Sequence, residues 1–455
     1  MLTIKELYDG LETKTLKDQS LTLRGWVKTN RNNGTIGFIE FTDGSAFKGI
    51  QLVYEKDKVD NFAEIDKLRT GASLEVSGNL ILTPENKQPF ELHVDKLVVV
   101  GDVDEDYPLQ KKRHSAEFLR EIAHLRPRTN TYTALYRVRS ELTFALHKYF
   151  HENGFIYVHT PIITGNDAEG AGNVFDVVTD HKDPAHFFGR KASLTVSGQL
   201  HVEPFALTFG KVYTFGPTFR AEESNTTRHA AEFWMLEPEM AFTDLKGNME
   251  VIEESIKYAV RYILEKCPDE IDFFTKFFEP GLRARLEALV KSKVVRLTYT
   301  EAVDILLLAQ QKGTKFTFDK IFWGMDLASE HERYLCEVYT EGPVFVTDYP
   351  KDIKAFYMKL NDDNKTVAAC DLLVPGVGEL VGGSQREDRY EVLKAKMEAL
   401  GNLKDLEWYL DLRKYGGAPH SGFGIGFDRL LMYVTGVTNI RDVQPYARAF
   451  GSIKY

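Results

Sequence analysis

The stretch FRAEESNTTRHAAEFWMLEPE, residues 219–239, carries the reading of the fold and of the chemistry. A short polar loop, Glu223 to Thr227, lies between strand-like runs. Arg220 and Arg228 flank that loop, and two planar guanidinium forks could clamp a polyphosphate from two sides. Phe233 could offer a stacking face to a base. The competing reading is a hairpin whose alternating charges face water.

Two further groups lie downstream. Asp371 and Glu379 precede Gly382-Gly383-Ser384-Gln385-Arg386. Two carboxylates near a Gly-rich turn suit magnesium, which binds through one or two carboxylates plus substrate phosphates. Solvated loop carboxylates are the alternative. Gly422 to Gly426 reads GFGIG, runs into Phe427-Asp428-Arg429 and then a helix-like LLMYVTG. Glycines before a helix let a backbone approach a ligand, and the adjacent arginine could hold a phosphate. A tight turn before a core helix would look the same. No GxxxxGK[ST] is present, which argues against a P-loop ATPase.

Upstream, Leu135, Val138, Leu142, Leu146, Tyr149 and Phe150 recur at helical spacing, and Asn153-Gly154 ends the run. FIYVHTPII then reads as a strand into Pro161, and strand-like runs dominate from Phe187 to Phe242. Residues 243 to about 340 return to helical patterning, and the last 120 or so mix strands with helix. Strands between helices without regular βαβ alternation predict an α+β domain over 131–455, with an antiparallel sheet and a mostly helical insertion near 243–340. Residues 1–101 hold five short strand-like runs punctuated by Gly and Asn, which fits a small barrel or sandwich. The polar stretch 102–130, with Pro108, Pro127 and QKKR at 110–113, reads as a linker.

The bulk numbers narrow the class. With 455 residues, two or three domains are expected. The chain is 43% hydrophobic and 27% charged, as ordinary globular domains are. No apolar run is long enough for a membrane span, and MLTIKELYDG lacks the apolar core of a secretory signal. Cys267, Cys336 and Cys370 stand far apart with no CxxC, so neither a zinc cage nor a disulfide framework is indicated and a reducing cytoplasm is expected. The net charge of −10 opposes a purely electrostatic nucleic-acid binder, so any RNA contact must come from local patches such as Lys28 to Arg31 and QKKR.

Taken together, the three groups resemble motif 2 (FRAE…RH…EFWMLEPE) and motif 3 (GFGIGFDRL) of the class II aminoacyl-tRNA synthetases. The helix from Leu135 through FIYVHTP resembles motif 1. RHAAEFWMLEPE, TVSGQLHVE, FYMKLN, GGSQRE and RLLMYVTGVTNIRDV resemble the asparaginyl-tRNA synthetases in particular, within the aspartyl/asparaginyl/lysyl subgroup. RGWVKTNR…GFIEFTDGS…IQLV is similar to their anticodon-binding OB domain. The likeness covers nearly the whole chain. The tail YARAFGSIKY departs from a Pro-Arg-Thr-Pro-like segment common in the family.

The resemblance implies a ligase that joins L-asparagine to tRNA-Asn with ATP and Mg²⁺, in a cytoplasmic homodimer. It implies that Arg220 holds the α-phosphate and the carboxylate being activated, and that Arg228 and Arg429 hold the outer phosphates. Phe233 and Arg429 would sandwich adenine, Glu222 would accept from its amino group, and His229 would position rather than act as a base. Glu379 and Asp371 would ligate magnesium. Ser197, Gln199, Glu237 and Arg386 would form the amino-acid pocket, and Glu169 would sit on a loop closing over the α-amino group. Phe38 and Gln51, with Arg24, Trp26 and Glu91, would read the anticodon, with Phe38 as barrel core the alternative. The apolar face from Leu135 to Phe150 would be covered by the second subunit.

Asparagine and aspartate are nearly isosteric, so hydrogen-bond polarity must separate them. An amide donates and accepts, whereas a carboxylate only accepts. By resemblance, Arg386 donates to the side-chain oxygen and Glu237 accepts from the NH₂ group. Aspartyl relatives place a lysine at the end of SxQLxK, where this chain has Val202. The rivals are an aspartyl enzyme, an amide-forming ligase on the same fold, and a non-catalytic RNA-binding paralogue.

Overall fold

The computed structural model describes residues 2–86, 88–166 and 173–455. The chain divides into two compact units, one up to Arg137 and one from Val138 on.

In the first unit, β1 (Gln19–Asn32), β2 (Ile36–Thr42), β3 (Ile50–Glu55), β4 (Ser73–Leu82) and β5 (Phe90–Gly101) form a closed barrel in the order β1-β2-β3-β5-β4. Alternation drives the closure. Leu23, Val27, Ile39, Phe41, Leu52, Val76 and Leu92 point inward and are buried, alternating with more exposed residues except in β3, where Val53 is buried too. Closure gives each strand a partner on both sides. Gly25 must be glycine, because a Cβ there would lie 2.1 Å from the Thr42 carbonyl oxygen. The helix Ile4–Glu12 starts with a capping box between Thr3 and Glu6 and adds Ile4 and Leu7 to the core.

The second unit is built on an eight-stranded sheet. Its strands are β6 (Ile156–Tyr157), β9 (Lys211–Phe219), β10 (Glu232–Ala241), β11 (Val295–Thr298), β12 (Val344–Pro350), β13 (Thr366–Val374), β14 (Gly378–Gln385) and β15 (His420–Gly426). The short pair β7 (Ile163–Thr164) and β8 (Ser193–Leu194) stands apart. The order is β11-β12-β13-β14-β15-β10-β9-β6. The five inner pairings are antiparallel, and the two outermost, β11 with β12 and β6 with β9, are parallel. Every residue of β13 is buried, as suits a strand covered on both faces. The helix Leu245–Lys266 packs on β13, β14 and β15, and Asn248 donates to the Gly422 carbonyl at 3.0 Å.

The structure differs from the sequence expectations in four places. The segment 102–130 is not merely a polar connection: Ser115 caps a short helix, Ala116–Glu121. Gln199–Phe209 is a helix inside the stretch expected to be strand-rich, and it ends at Gly210, whose φ of 82° a side chain would resist. Its helical period is masked because its buried face carries Gln199 and Glu203, and because Pro204 lies inside it. The helical region 243–340 contains β11, which four residues of Val-Arg-Leu-Thr were too short to announce. Finally, Leu135, Val138, Leu142, Leu146 and Phe150 are all fully buried within the chain. That apolar face of the helix Asn130–Glu152 therefore needs no second subunit to cover it.

Arg139 on this helix ties the sheet to the segment after it. Its guanidinium meets Asp428 at 2.6 Å, and the two side chains are 15% and 2% exposed. Asp428 also accepts from the Trp234 backbone and from Gln444, each at 3.2 Å. Removing the arginine alone leaves a buried carboxylate without its cation. Arg139→Met should therefore lower unfolding free energy by roughly 3–5 kcal/mol, and Arg139→Met with Asp428→Asn should regain part of it. Denaturant titration of the three proteins checks this, and a single-mutant loss below about 1 kcal/mol would refute it.

Candidate functional site

Strand alternation builds the site. Phe233, Met235, Glu237 and Glu239 occupy every second position of β10 and line one cavity of about 260 Å³. At about 3.3 Å per residue, Phe233 and Glu239 stand roughly 20 Å apart along the strand, so the cavity has two chemically distinct ends.

At the Phe233 end lie three arginines, two from the connection between β9 and β10 and one from a helix. Arg220 follows β9, and its guanidinium carbon stands 5.5 Å from the Phe233 ring centroid. Arg429 is in the first turn of the helix Phe427–Thr435 and donates to the Glu379 carbonyl at 3.0 Å and its carboxylate at 3.5 Å. Arg228 is anchored by Glu332 at 3.3 Å, by the Ser329 hydroxyl and by the Val377 carbonyl. His229 lies near Glu222, 3.9 Å away, and bonds through Nδ1 to the hydroxyls of Ser224 and Thr226. Burial, with the charge of Arg429, pushes its imidazole pKa down, which keeps the ring neutral. The Glu332 and Ser329 anchors escaped the sequence reading because they come from a helix 100 residues after the motif.

Asp371 and Glu379 converge. A Cβ on Gly382 would lie 3.2 Å from Glu379 Oε1 and 3.5 Å from Asp371 Oδ1, so both oxygens face one point. The other Asp371 oxygen accepts from Lys354 at 2.7 Å. Burial pushes the Asp371 carboxyl up against the pull of Lys354. Burial also opposes ionisation of Glu379, but Arg429, Lys354, Arg220 and Arg228 outweigh it and hold that group below its ordinary range. Among the described residues no group of three or more His, Cys, Asp or Glu forms an all-protein metal cage. Two convergent carboxylate oxygens lining a cavity that also holds three arginines nevertheless fit Mg²⁺, which takes its remaining ligands from phosphate and water.

At the other end Glu237 is buried and fixed. Its carboxylate accepts from the Ser197 hydroxyl and from the Gly198 backbone N–H at 2.8 Å. Burial raises its pKa, and those two donors oppose the rise. Arg386, 3% exposed, donates Nη2 and Nε to the two oxygens of Glu239 and Nη1 to Ser384 at 2.7 Å. The Tyr357 ring lies 5.3 Å from its guanidinium carbon. Burial pushes the Glu239 carboxyl up to about 7, with Arg386 pulling it down and Glu203 pushing it further up. Ser197 and Gln199 line the same end, and Gln199 donates to Glu203 at 3.0 Å. Val202 is packed among Val158, Ala206 and Val212, so no cation stands in its place. Glu169 lies outside the described residues. Glu239, Glu203 and Tyr357 were missed in the sequence. The i, i+2 step from Glu237 was the available signal for Glu239.

In the tail, the Arg448 carbonyl accepts from the Ala231 backbone at 2.7 Å and Phe450 lines the cavity.

On the barrel, the five residues singled out all point outward. Phe38 is half-buried beneath the Arg31 guanidinium at 5.3 Å, while its neighbours Gly37 and Ile39 are buried, so Phe38 is not core. Gln51 pairs across strands with both Glu40 and Glu91 and donates to the Glu91 carboxylate at 2.7 Å. Trp26 is 46% exposed, and Arg24 forms an ion pair with Glu75 at 2.6 Å. Outward aromatics beside hydrogen-bonding groups on a barrel suit single-stranded nucleic acid. Among the described residues no helix is long and apolar enough to cross a membrane.

These features agree with what the chain is similar to. Residues 115–449 match the model of class II tRNA synthetases (D, K and N), and residues 21–100 match the OB-fold nucleic acid binding domain. An asparagine–tRNA ligase of Clostridium beijerinckii is 54% identical over all of this chain and 99% of its own length. One of Clostridium acetobutylicum is 56% identical over 96% of each chain. The asparaginyl-tRNA synthetase of Pyrococcus horikoshii complexed with asparaginyl-adenylate superposes with a TM-score of 0.88 at 35% identity, covering 99% of both chains. The chain therefore belongs to the class II tRNA synthetases and, within them, to the asparagine–tRNA ligases.

Proposed function

We propose that the two ends of the β10 cavity divide the reaction between them, the Phe233 end taking ATP and the Glu239 end the side chain of asparagine. The observation that supports this is the single strand face bearing Phe233, Met235, Glu237 and Glu239, with arginines gathered at one end and a paired carboxylate–guanidinium set at the other. In the first step a carboxylate oxygen of asparagine attacks the α-phosphorus, an O–P bond forms, and pyrophosphate leaves. Arg220 neutralises charge at the α-phosphate, and Arg228 and Arg429 hold the outer phosphates. Phe233 and Arg429 enclose adenine, Glu222 accepts from its amino group, and His229, kept neutral, orients the loop. In-line placement and charge neutralisation suffice here without a side-chain base. Glu379 and Asp371 would hold Mg²⁺, which supplies further neutralisation of the phosphates when bound. Lys354 keeps Asp371 oriented by occupying its second oxygen.

Arg386 and Glu237, with Ser197 and Gln199, select the amide. Arg24, Trp26, Phe38, Gln51 and Glu91 form the anticodon face of the N-terminal domain. The enzyme works as a cytoplasmic homodimer. Supporting the dimer are Phe144, Ile156, Tyr157, Ile162 and Ile163, large apolar side chains left exposed near the start of the sheet edge. Supporting the cytoplasm are three buried, unbridged cysteines.

Phe38→Ala should lower aminoacylation by the worth of one stacked base, roughly 1–3 kcal/mol, and leave pyrophosphate exchange unchanged. Equal losses in the two assays would remove Phe38 from the RNA face. Glu237→Gln should narrow the gap between the two amino acids. Gln can still accept from the amide of asparagine, with a loss of about 1–2 kcal/mol for the weakened bond, but it no longer repels aspartate. The readout is the ratio of kcat/KM for asparagine over aspartate in pyrophosphate exchange. An unchanged ratio would show that Glu237 does not select.

A further inference from the structure

Behind the amide-selecting end lies a buried set of charges that no step above uses. Glu203, fully buried on the helix Gln199–Phe209, accepts from Gln199 at 3.0 Å, from the Tyr409 hydroxyl at 2.8 Å, from Arg413 at 3.2 Å and from His420 Nε2 at 2.9 Å. Arg386 Nε stands 3.9 Å from its Oε1. His420 Nδ1 faces the Ala418 carbonyl at 2.8 Å. Both ring nitrogens thus face oxygen atoms. Burial opposes the charge on Glu203, but Arg413, His420 and Arg386 outweigh it and hold the carboxyl well below the usual range. Neighbouring Glu387 is matched separately by Arg389 at 2.7 Å and Lys396 at 3.8 Å.

The count is then three carboxylates, Glu203, Glu237 and Glu239, against two guanidiniums, Arg386 and Arg413, with His420 bonded to Glu203. All six side chains are buried. A neutral amide adds no charge to this set. An aspartate carboxylate would add an unmatched charge in a site with little water, and such a charge is strongly disfavoured.

We propose that Glu203 is a specificity-determining residue that acts through Arg386, its buried negative charge leaving that guanidinium no capacity for a further carboxylate, so that the site accepts asparagine and refuses aspartate. The inference rests on the reading that Arg386 and Glu237 receive the amino-acid side chain. Two substitutions separate charge from structure, because only one of them removes a carboxylate. Glu203→Gln keeps the shape and one accepting oxygen and removes one negative charge, which lowers the repulsion that aspartate meets. His420→Gln disturbs a hydrogen bond of Glu203 and leaves all three carboxylates in place.

Both variants, with Glu203→Asp as the charge-retaining control, are assayed at pH 8 in ATP–pyrophosphate exchange with each amino acid. Thermal unfolding of each establishes that it is folded. The asparagine-to-aspartate ratio of kcat/KM should fall in Glu203→Gln by on the order of tenfold to a hundredfold, the effect of one unit charge several ångström away in a medium of intermediate dielectric. It should not fall in His420→Gln, and Glu203→Asp should stay nearer to wild type than Glu203→Gln. KM for ATP should be unchanged throughout. A fall of similar size in both Glu203→Gln and His420→Gln would show a structural role and overturn the proposal. So would an unchanged ratio in Glu203→Gln when Glu237→Gln moves it. If Glu237→Gln does not move the ratio either, it is the underlying reading of the side-chain pocket that fails.

Discussion

A guanidinium almost wholly out of water has to be matched on every side, and Arg386 imposes that requirement on the centre of the second unit. Its fork takes both oxygens of Glu239 on β10 and the hydroxyl of Ser384 on β14. For Glu239 to reach it, β15 must present no side chain at the crossing. A Cβ on Gly422 would fall 2.1 to 2.5 Å from the Glu239 carboxylate atoms, so the glycine in GFGIG is needed at this approach as well as near a ligand. The same register brings Ser384 and Glu239 opposite Gly422 from either side. Removing one partner from such a pair leaves an uncompensated buried charge, a loss of several kcal/mol. The pairing of Arg386 and the sheet register are therefore one constraint.

From that anchored end the rest of the cavity follows by strand geometry. Two residues nearer the start of β10 stands Glu237, held by Ser197 and Gly198, and four further is Phe233 beside Arg220. Asparagine activation needs distance and neutralisation more than proton transfer, and the arrangement supplies both. Cationic groups are clustered at the Phe233 end, and buried carboxylates are already paired at the Glu239 end. His229, with its pKa pushed down, adds no charge to the Phe233 end.

Much of this was legible in the sequence, for identifiable reasons. Motif residues lie close together along the chain, so Arg220, Arg228 and Phe233 could be read as one group, and GFGIG followed by Arg429 announced a strand entering a helix. The barrel was legible because Val, Ile and Phe alternate between turn signals. What escaped reading depends on contacts distant along the chain. Lys354 reaches Asp371 17 residues away, Glu332 reaches Arg228 104 residues away, and Arg413 reaches Glu203 210 residues away. The helix Gln199–Phe209 was hidden because its buried face is polar, and that polar face supports the pocket. The weakest sequence signal therefore marked an element that lines the cavity. Phe38 needed the alternation of burial along β2, with Gly37 and Ile39 inside, to be separated from the core.

The central claim is that the side-chain end of the cavity has its guanidiniums already engaged by buried carboxylates and so receives a neutral amide. Calorimetric titration of the wild-type protein at pH 8 with non-hydrolysable asparaginyl- and aspartyl-adenylate analogues tests it most directly. Each titration is run in two buffers of different ionisation enthalpy. The asparaginyl analogue should bind with no net proton exchange. The aspartyl analogue should bind at least about a hundredfold more weakly and take up about one proton, because a buried site with no spare cation admits a carboxyl group only in its neutral form. Equal affinities with no proton uptake would contradict the account.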